Sequence, residues 1–238
     1  MTDQAYASNP IAYVLRRLNT ASEISPEAEK ALGRAIFIRP SVSDHVEVKV
    51  DTSAAFLLKG LACRMRLMAD GRRQLTGFII AGDLCDQSFL SGSRSITQVV
   101  TLAKSVVADV SMPLFTALCD EHPDILRALM RATATGNAVT EELIVSLGLR
   151  TAAERLGHLF CEMHQRLSSV GLVDQGSYAF QVTQAELGAQ LGMSAVHVNR
   201  TLQRLRREKL ISTEAGRINI LNGVGLRRMA SYDPAYLN

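Results

Sequence analysis

No run of about 18 consecutive apolar residues occurs in this sequence, which excludes a chain built on membrane-crossing helices. It opens Met1-Thr2-Asp3-Gln4, without a basic stretch leading into an apolar one. No secretory signal is read there, and the cytoplasm is the expected compartment. Cysteine is scarce: Cys63, Cys85, Cys119 and Cys161 form no C-x-x-C pair. The usual zinc-ribbon and thioredoxin-like spacings are therefore excluded, and four small buried thiols are expected. Glycine (16) and proline (6) are too few for a collagen-like or low-complexity chain. The sequence also lacks G-x-x-x-x-G-K-[ST], H-E-x-x-H and G-x-S-x-G, so no catalytic residue and no cofactor is assigned. Gly223-Val224-Gly225 lacks the surrounding nucleotide fingerprint and reads as a turn.

What is present is 238 residues, 47% hydrophobic and 21% charged, enough for one large domain or two small ones with cores of their own. The net charge of +3 is unevenly placed. Residues 1–169 balance bases against acids. The whole excess lies in 170–238, where Arg200, Arg204, Arg206, Arg207, Lys209, Arg217, Arg227 and Arg228 outnumber the acids. Such asymmetry points to an acidic polymer as partner.

The periodicity changes twice along the chain. Residues 9–38 read as helix, with Ile11, Val14, Leu15 and Leu18 at helical spacing and a second start at Ser25-Pro26-Glu27. From Val42 to Val110 the pattern is that of strands. Val46, Val48 and Val50 alternate with charged residues, and Ala55–Leu58, Ala62–Met68, Gln74–Ile80 and Val99–Val110 are apolar runs. Asp70-Gly71 suits a hairpin turn. After Met112-Pro113 helices return: Leu114–Asp120, a long one from Asp124 to about Gly148, and Thr151–Ser168. On the long helix Leu126, Met130, Thr133, Asn137, Thr140, Ile144 and Leu147 alternate by four and three, the a/d seam of a coiled coil. The opposite face (Ile125, Leu129, Ala132, Val139, Leu143) suits packing at home, which leaves the seam for a partner chain.

Residues 183–211 carry the chemistry. Thr183 and Glu186 make a capping box, Leu187 and Leu191 an apolar stripe, and Gly192 a helix stop. Ser194 caps a second helix whose buried face is Val198, Leu202 and Leu205. Ala195, His197, Asn199, Arg200, Gln203, Arg204 and Arg207 occupy mainly its other faces. Two helices at a sharp turn, the second basic, are the helix-turn-helix arrangement that places the second helix in the major groove of double-stranded DNA. Arginine suits phosphate or guanine, and asparagine suits adenine. A hairpin near Ala215-Gly216 puts Arg217 at the tip of a wing. Thr183, Ser194, Ala195, His197, Asn199, Arg200, Gln203, Arg204 and Arg217 are the expected DNA-binding residues. His158, Cys161 and His164 fan over one helix without a fourth ligand nearby, so no metal site is assigned; a buried Cys161 with the histidines at its margins is expected.

The order of these parts resembles the CRP/FNR regulators, most strongly over Pro123–Leu167 and Gln181–Ile211. The resemblance implies an α+β fold: an N-terminal β-roll sensor with its helices (1–122), a dimerisation helix (123–150) and a C-terminal winged helix-turn-helix (151–238). It implies a homodimeric transcription regulator on a palindromic operator, not an enzyme, with RNA polymerase as a further partner and no membrane. Gly82-Asp83 matches the turn before the family's ligand-binding segment. Cys85-Asp86 stands where cyclic-AMP-binding members have Gly-Glu, while Arg94-Ser95 matches their Arg-Ser after a shorter loop. Thr140 matches the threonine that meets adenine, but Glu141 replaces a serine. Asp86, Arg94, Ser95, Asn137, Thr140 and Glu141 are thus the expected effector pocket, for an effector of unknown identity other than cyclic AMP. The alternatives are a cyclic-nucleotide-responsive regulator of the same fold, and a metal-binding or enzymatic helical protein. No cysteine cluster near the N-terminus matches the iron–sulfur members. Arg200 matches an arginine of the family's recognition helix. Ala195 and Val196 stand where the cyclic-AMP receptor has base-reading Arg and Glu, so His197 and Asn199 become the candidate readers.

Overall fold

The computed structural model describes residues 9–50, 52–86, 88 and 95–237. Its contacts divide the chain into two units, Met1–Arg72 with Gly77–Gly136, and Arg73–Thr76 with Asn137–Asn238.

The first unit starts with α1 (Ala12–Ala21) and α2 (Pro26–Ala35). Ser25 caps α2 by accepting the Ala28 N–H at 3.3 Å, and Pro26 fills the first helical position, as the sequence predicts. The strands are β1 (Phe37–Ile38), β2 (Ser53–Lys59), β3 (Leu61–Leu67), β4 (Arg73–Ile80), β5 (Gln98–Thr101) and β6 (Val106–Ser111). They form two three-stranded sheets, ordered β1-β6-β2 and β4-β3-β5. These make the β-roll. In β2, Ala54, Phe56 and Leu58 join Val14, Leu32, Phe115 and Ile125 in one core, while Ala55 and Leu57 join Ile79, Cys85, Val99 and Val107 in another. A strand buried on both faces has no polar side to show, which is why this segment reads as an unbroken apolar run. After β4, Asp83 holds the turn: its carboxylate accepts the Ile80 N–H at 3.1 Å and pairs with Arg17 Nε at 2.8 Å.

Two sequence expectations are corrected here. Val46, Val48 and Val50 do not form a strand; the segment makes a single bridge, Glu47 to Val100, and a hydrogen bond from the Val48 N–H to Val99 O at 2.8 Å. Alternation alone did not reveal how briefly the segment meets β5. The run Val99–Val110 is two strands. The break falls where Leu102 and Ala103 turn their N–H groups to Leu61 O, a turn made without glycine or proline.

α3 (Met112–Glu121) leads into α4 (Pro123–Leu149), which is 27 residues long. Asp124 ties its start to α2 by accepting the Ser25 N–H at 2.6 Å. Ile125, Ala128 and Leu129 are buried, whereas Met130 is 61% and Ile144 64% exposed. No helix among the described residues is long and apolar enough to cross a membrane.

The second unit contains α5 (Ala152–Ser169), β7 (Ser177–Ala179), α6 (Gln184–Leu191), α7 (Ala195–Arg207), β8 (Ile211–Glu214), β9 (Arg217–Ile220), α8 (Gly223–Met229) and a short 3-10 helix, Pro234–Leu237. Its sheet runs β7-β9-β8. Gly223-Val224-Gly225 opens α8 instead of forming a free turn, because Asn222 caps the helix by accepting the Gly225 N–H at 2.8 Å. Cys161 is buried as expected, but His158 is buried too and does not lie at the margin. It sits between Tyr232 and Tyr236, and its Nε2 is 3.2 Å from a Glu142 oxygen that is not aligned to accept a hydrogen bond. Glu142 also pairs with Arg150, and Glu162 takes a hydrogen bond from Tyr236 at 3.1 Å and one from Arg166.

Candidate nucleic-acid interface

The second unit carries basic residues on α7, which follows α6 at a sharp turn, and on the β8–β9 hairpin. Arg155 fixes the ends of two helices, donating to Leu147 O of α4 at 2.8 Å and to Leu191 O of α6 at 2.9 Å. Cationic donors at the last carbonyls of a helix favour its negative end. The first N–H groups of α6 are met by the capping box. The Thr183 N–H donates to Glu186 Oε2 at 2.7 Å, and the Glu186 N–H to Thr183 Oγ1 at 3.2 Å. The Thr183 hydroxyl also donates to Glu186, so that side chain serves the fold of the turn.

Gly192 ends α6 at φ 65°. Gly188 is required by proximity instead: a Cβ there would stand 2.3 Å from Met193 O. The absence of a side chain lets the chain turn sharply enough to start α7 at once. Ser194 caps α7 through a 3.2 Å bond from the His197 N–H. Val198, Thr201, Leu202 and Leu205 are buried.

The outward residues divide by their partners. Ala195, His197, Arg200, Gln203 and Arg207 are exposed, and Asn199 is half-buried. Arg200 and Arg207 have no ion-pair partner among the described residues. Arg204 pairs with Glu208 at 2.7 Å, one turn on, and Arg206 bonds the Thr213 hydroxyl of β8. At about 100° per residue, Ala195, Arg206, Asn199, Gln203, Val196, Arg207, Arg200 and Arg204 follow one another around the outward face, and His197 falls at its border. Arg217 opens β9 and donates to Ser177 Oγ at 2.9 Å, which braces it on β7. The hairpin turn places Ala215 and Gly216 both at positive φ, 47° and 72°.

Sequence reasoning set Val196 at a base-reading position of the family but gave it no contact, and left Arg207 off the contact set. An apolar letter in a basic helix is easily assigned to the buried stripe, and only its angle on the helix separates the two cases.

The expected effector residues fall in both units. Asp86 and Ser95 belong to the first unit; Asn137, Thr140 and Glu141 belong to the second. Arg94 lies outside the described residues. The Asp86 carboxylate takes bonds from Ser88, and the Ser95 hydroxyl bonds Thr97. Asn137 and Glu141 are exposed. Among the described residues no three His, Cys, Asp or Glu side chains are grouped to hold a metal ion.

Comparison with known proteins bears on the same region. The Crp-like helix-turn-helix domain family matches residues 154–229. The fumarate and nitrate reduction regulatory protein of Vibrio cholerae is 25% identical over 160 residues, 67% of this chain and 64% of that protein. The match thus spans less than two thirds of that relative's length. The nitrogen fixation regulation protein FixK of Bradyrhizobium diazoefficiens is 25% identical over 201 residues, 84% of this chain and 83% of that one. Among solved structures, FixK2 from Bradyrhizobium japonicum superposes with a TM-score of 0.73 at 22% identity, covering 83% of this chain and 98% of its own.

Proposed function

We propose that the chain is a transcription regulator of the CRP/FNR family and acts as a homodimer on a palindromic DNA operator. It is a regulator, not an enzyme. The observation that carries the proposal is the outward face of α7, where uncommitted Arg200 and Arg207 stand beside Gln203 and Asn199 on a helix capped and braced at its start. Arg200 contacts a guanine or a phosphate, Asn199 reads an adenine, and Ala195 and Gln203 border the bases. The Ser194 cap positions the helix N-terminus, Thr183 acts through its capping box, and Arg217 steadies the wing against the backbone. His197, at the border of the face, and Arg204, held by Glu208, lie toward the phosphates.

In this reading residues 1–122 form the sensor, 123–150 the dimerisation helix and 151–238 the DNA-binding domain. Met130 and Ile144, exposed on the single chain, become the apolar seam positions on either side of its polar middle. Two copies would then place their α7 helices roughly 34 Å apart, on successive major grooves. The protein works in the cytoplasm, where the DNA is, with RNA polymerase as a further partner. Its effector is not cyclic AMP: Glu141 puts a carboxylate on α4 where an anionic ligand needs none.

Fluorescence anisotropy at fixed salt tests the DNA reading. Arg200→Ala weakens operator binding by about 1–3 kcal/mol, and Asn199→Ala loosens the preference at one base pair per half-site. Unchanged affinity and unchanged selectivity in both variants would refute it.

A further inference from the structure

We infer that Val196 reads the methyl group of a thymine in the major groove, a step that rests on the DNA-binding reading above. Val196 is the second residue of α7 and is 63% exposed. One exposed aliphatic residue on a protein surface is ordinary. Its position here is not. The buried stripe of α7 is Val198, Thr201, Leu202 and Leu205. At about 100° per residue, Val196 stands about 170° from the centre of that stripe. It therefore occupies the middle of the face that a helix normally gives to its most polar residues. Gln203, Arg207 and Arg200 flank it within about 40° on either side. Valine is also a poor helix former, so local propensity gives no reason to place it there.

Two further features fix what it meets. It lies in the first turn of α7, and in a helix-turn-helix those first residues reach the base edges while later ones reach the backbone. A phosphate offers an aliphatic side chain nothing, and neither do the hydrogen-bonding atoms of guanine, adenine or cytosine. Thymine alone among the four bases presents an apolar group in the major groove, its C5 methyl. The flanking polar side chains then act on neighbouring base pairs, and Val196 contributes by removing that methyl from water.

The test starts from duplexes selected from a random 30-base-pair library by the full-length chain. Each thymine of the enriched sequence is replaced by deoxyuridine, which removes the methyl and keeps every hydrogen-bonding atom. Wild type is expected to lose about fourfold in affinity when that thymine is replaced in one half-site, and about fifteenfold when it is replaced in both. Val196→Ala binds the thymine and uracil duplexes equally. Val196→Thr, which keeps a methyl, retains the discrimination, and Val196→Glu shifts the preferred base there to cytosine, whose amino group a carboxylate accepts. If wild type still prefers the enriched duplex to a scrambled one but ignores every uracil replacement, the thymine contact is wrong and the DNA-binding reading stands. A selection that enriches no sequence overturns both.

Discussion

A histidine buried in its neutral form makes folding depend on pH, and His158 is placed to do so. Burial, and then the nearby Arg150 guanidinium, push it down from 6.5 to about 4, with Glu142 acting in the opposite direction. Between those two values the unfolded chain holds a proton that the folded chain does not. Stability therefore rises with pH across the window and is lost as pH falls through it. Between pH 7 and pH 5 this one group removes about 2 kcal/mol. Glu162, raised by its own burial despite Arg166 and the Tyr236 hydroxyl, works with the opposite sign. The histidine's share is thus the difference between wild type and His158→Gln in urea unfolding at the two pH values. The variant should show a flatter pH dependence, and equal slopes would show that His158 is not the group responsible. The sequence revealed the H-x-x-C-x-x-H spacing but not this environment. Tyr232 and Tyr236, which enclose the ring, come from the far end of the chain, and no local pattern connects them to α5.

At the scale of elements, what was legible followed from local chemistry. The Thr183–Glu186 box, the Gly192 stop and the Ser194 cap lie within a dozen residues, so α6, the turn and α7 could be drawn from sequence with their buried and outward faces. β7 could not: it is three residues long and exists by pairing with β9, about 40 positions on. α8 was missed because three residues rich in glycine resemble a turn until Asn222 is seen to cap them. The seam of α4 lies between these cases. Its spacing is plain, yet Leu126 packs partly on the first unit's core and a Cβ on Gly192 of the second unit would meet Leu147 at 3.2 Å, so each end has neighbours within its own unit. In the proposed dimer its middle meets the partner chain. Ile144→Glu should therefore fold normally, since that side chain is already in water on the single chain. In a dimer it would set two carboxylates against each other in a closing seam, at several kcal/mol of desolvation for each. Light scattering should then report a monomer where wild type is a dimer, with operator affinity reduced alongside. A stable dimer of the variant would move the interface elsewhere.

For the whole molecule the open quantity is what shifts it between states that bind DNA well and poorly. A ligand moves that equilibrium only by the difference in its affinity for the two states. The fold is shared with regulators of this family, but a shared fold does not carry the ligand with it. Side chains decide that, and by the resemblance this sequence keeps Arg94-Ser95 but departs at Cys85-Asp86 and at Glu141. Asp86 keeps a carboxylate where the cyclic-AMP-binding members have glutamate, here engaged by Ser88, whereas Glu141 adds one on α4. The one added negative charge, that of Glu141, disfavours an anionic nucleotide beside α4. Cyclic AMP at millimolar concentration should accordingly give no saturable heat in calorimetry. It should also leave the melting transition where it was, although a ligand at a hundred times its Kd would stabilise the native state by about 2.7 kcal/mol. Saturable binding at micromolar cyclic AMP, accompanied by tighter operator binding, would overturn this. The companion measurement is operator affinity after the protein has been unfolded, dialysed and refolded to strip bound molecules. Full affinity would mean that the DNA-competent state is the ground state, set by the polar middle of α4 at Thr133, Asn137 and Thr140 fixing the register of the pair. Affinity restored only by a cell extract's small-molecule fraction would instead place the control in a ligand less anionic than a nucleotide.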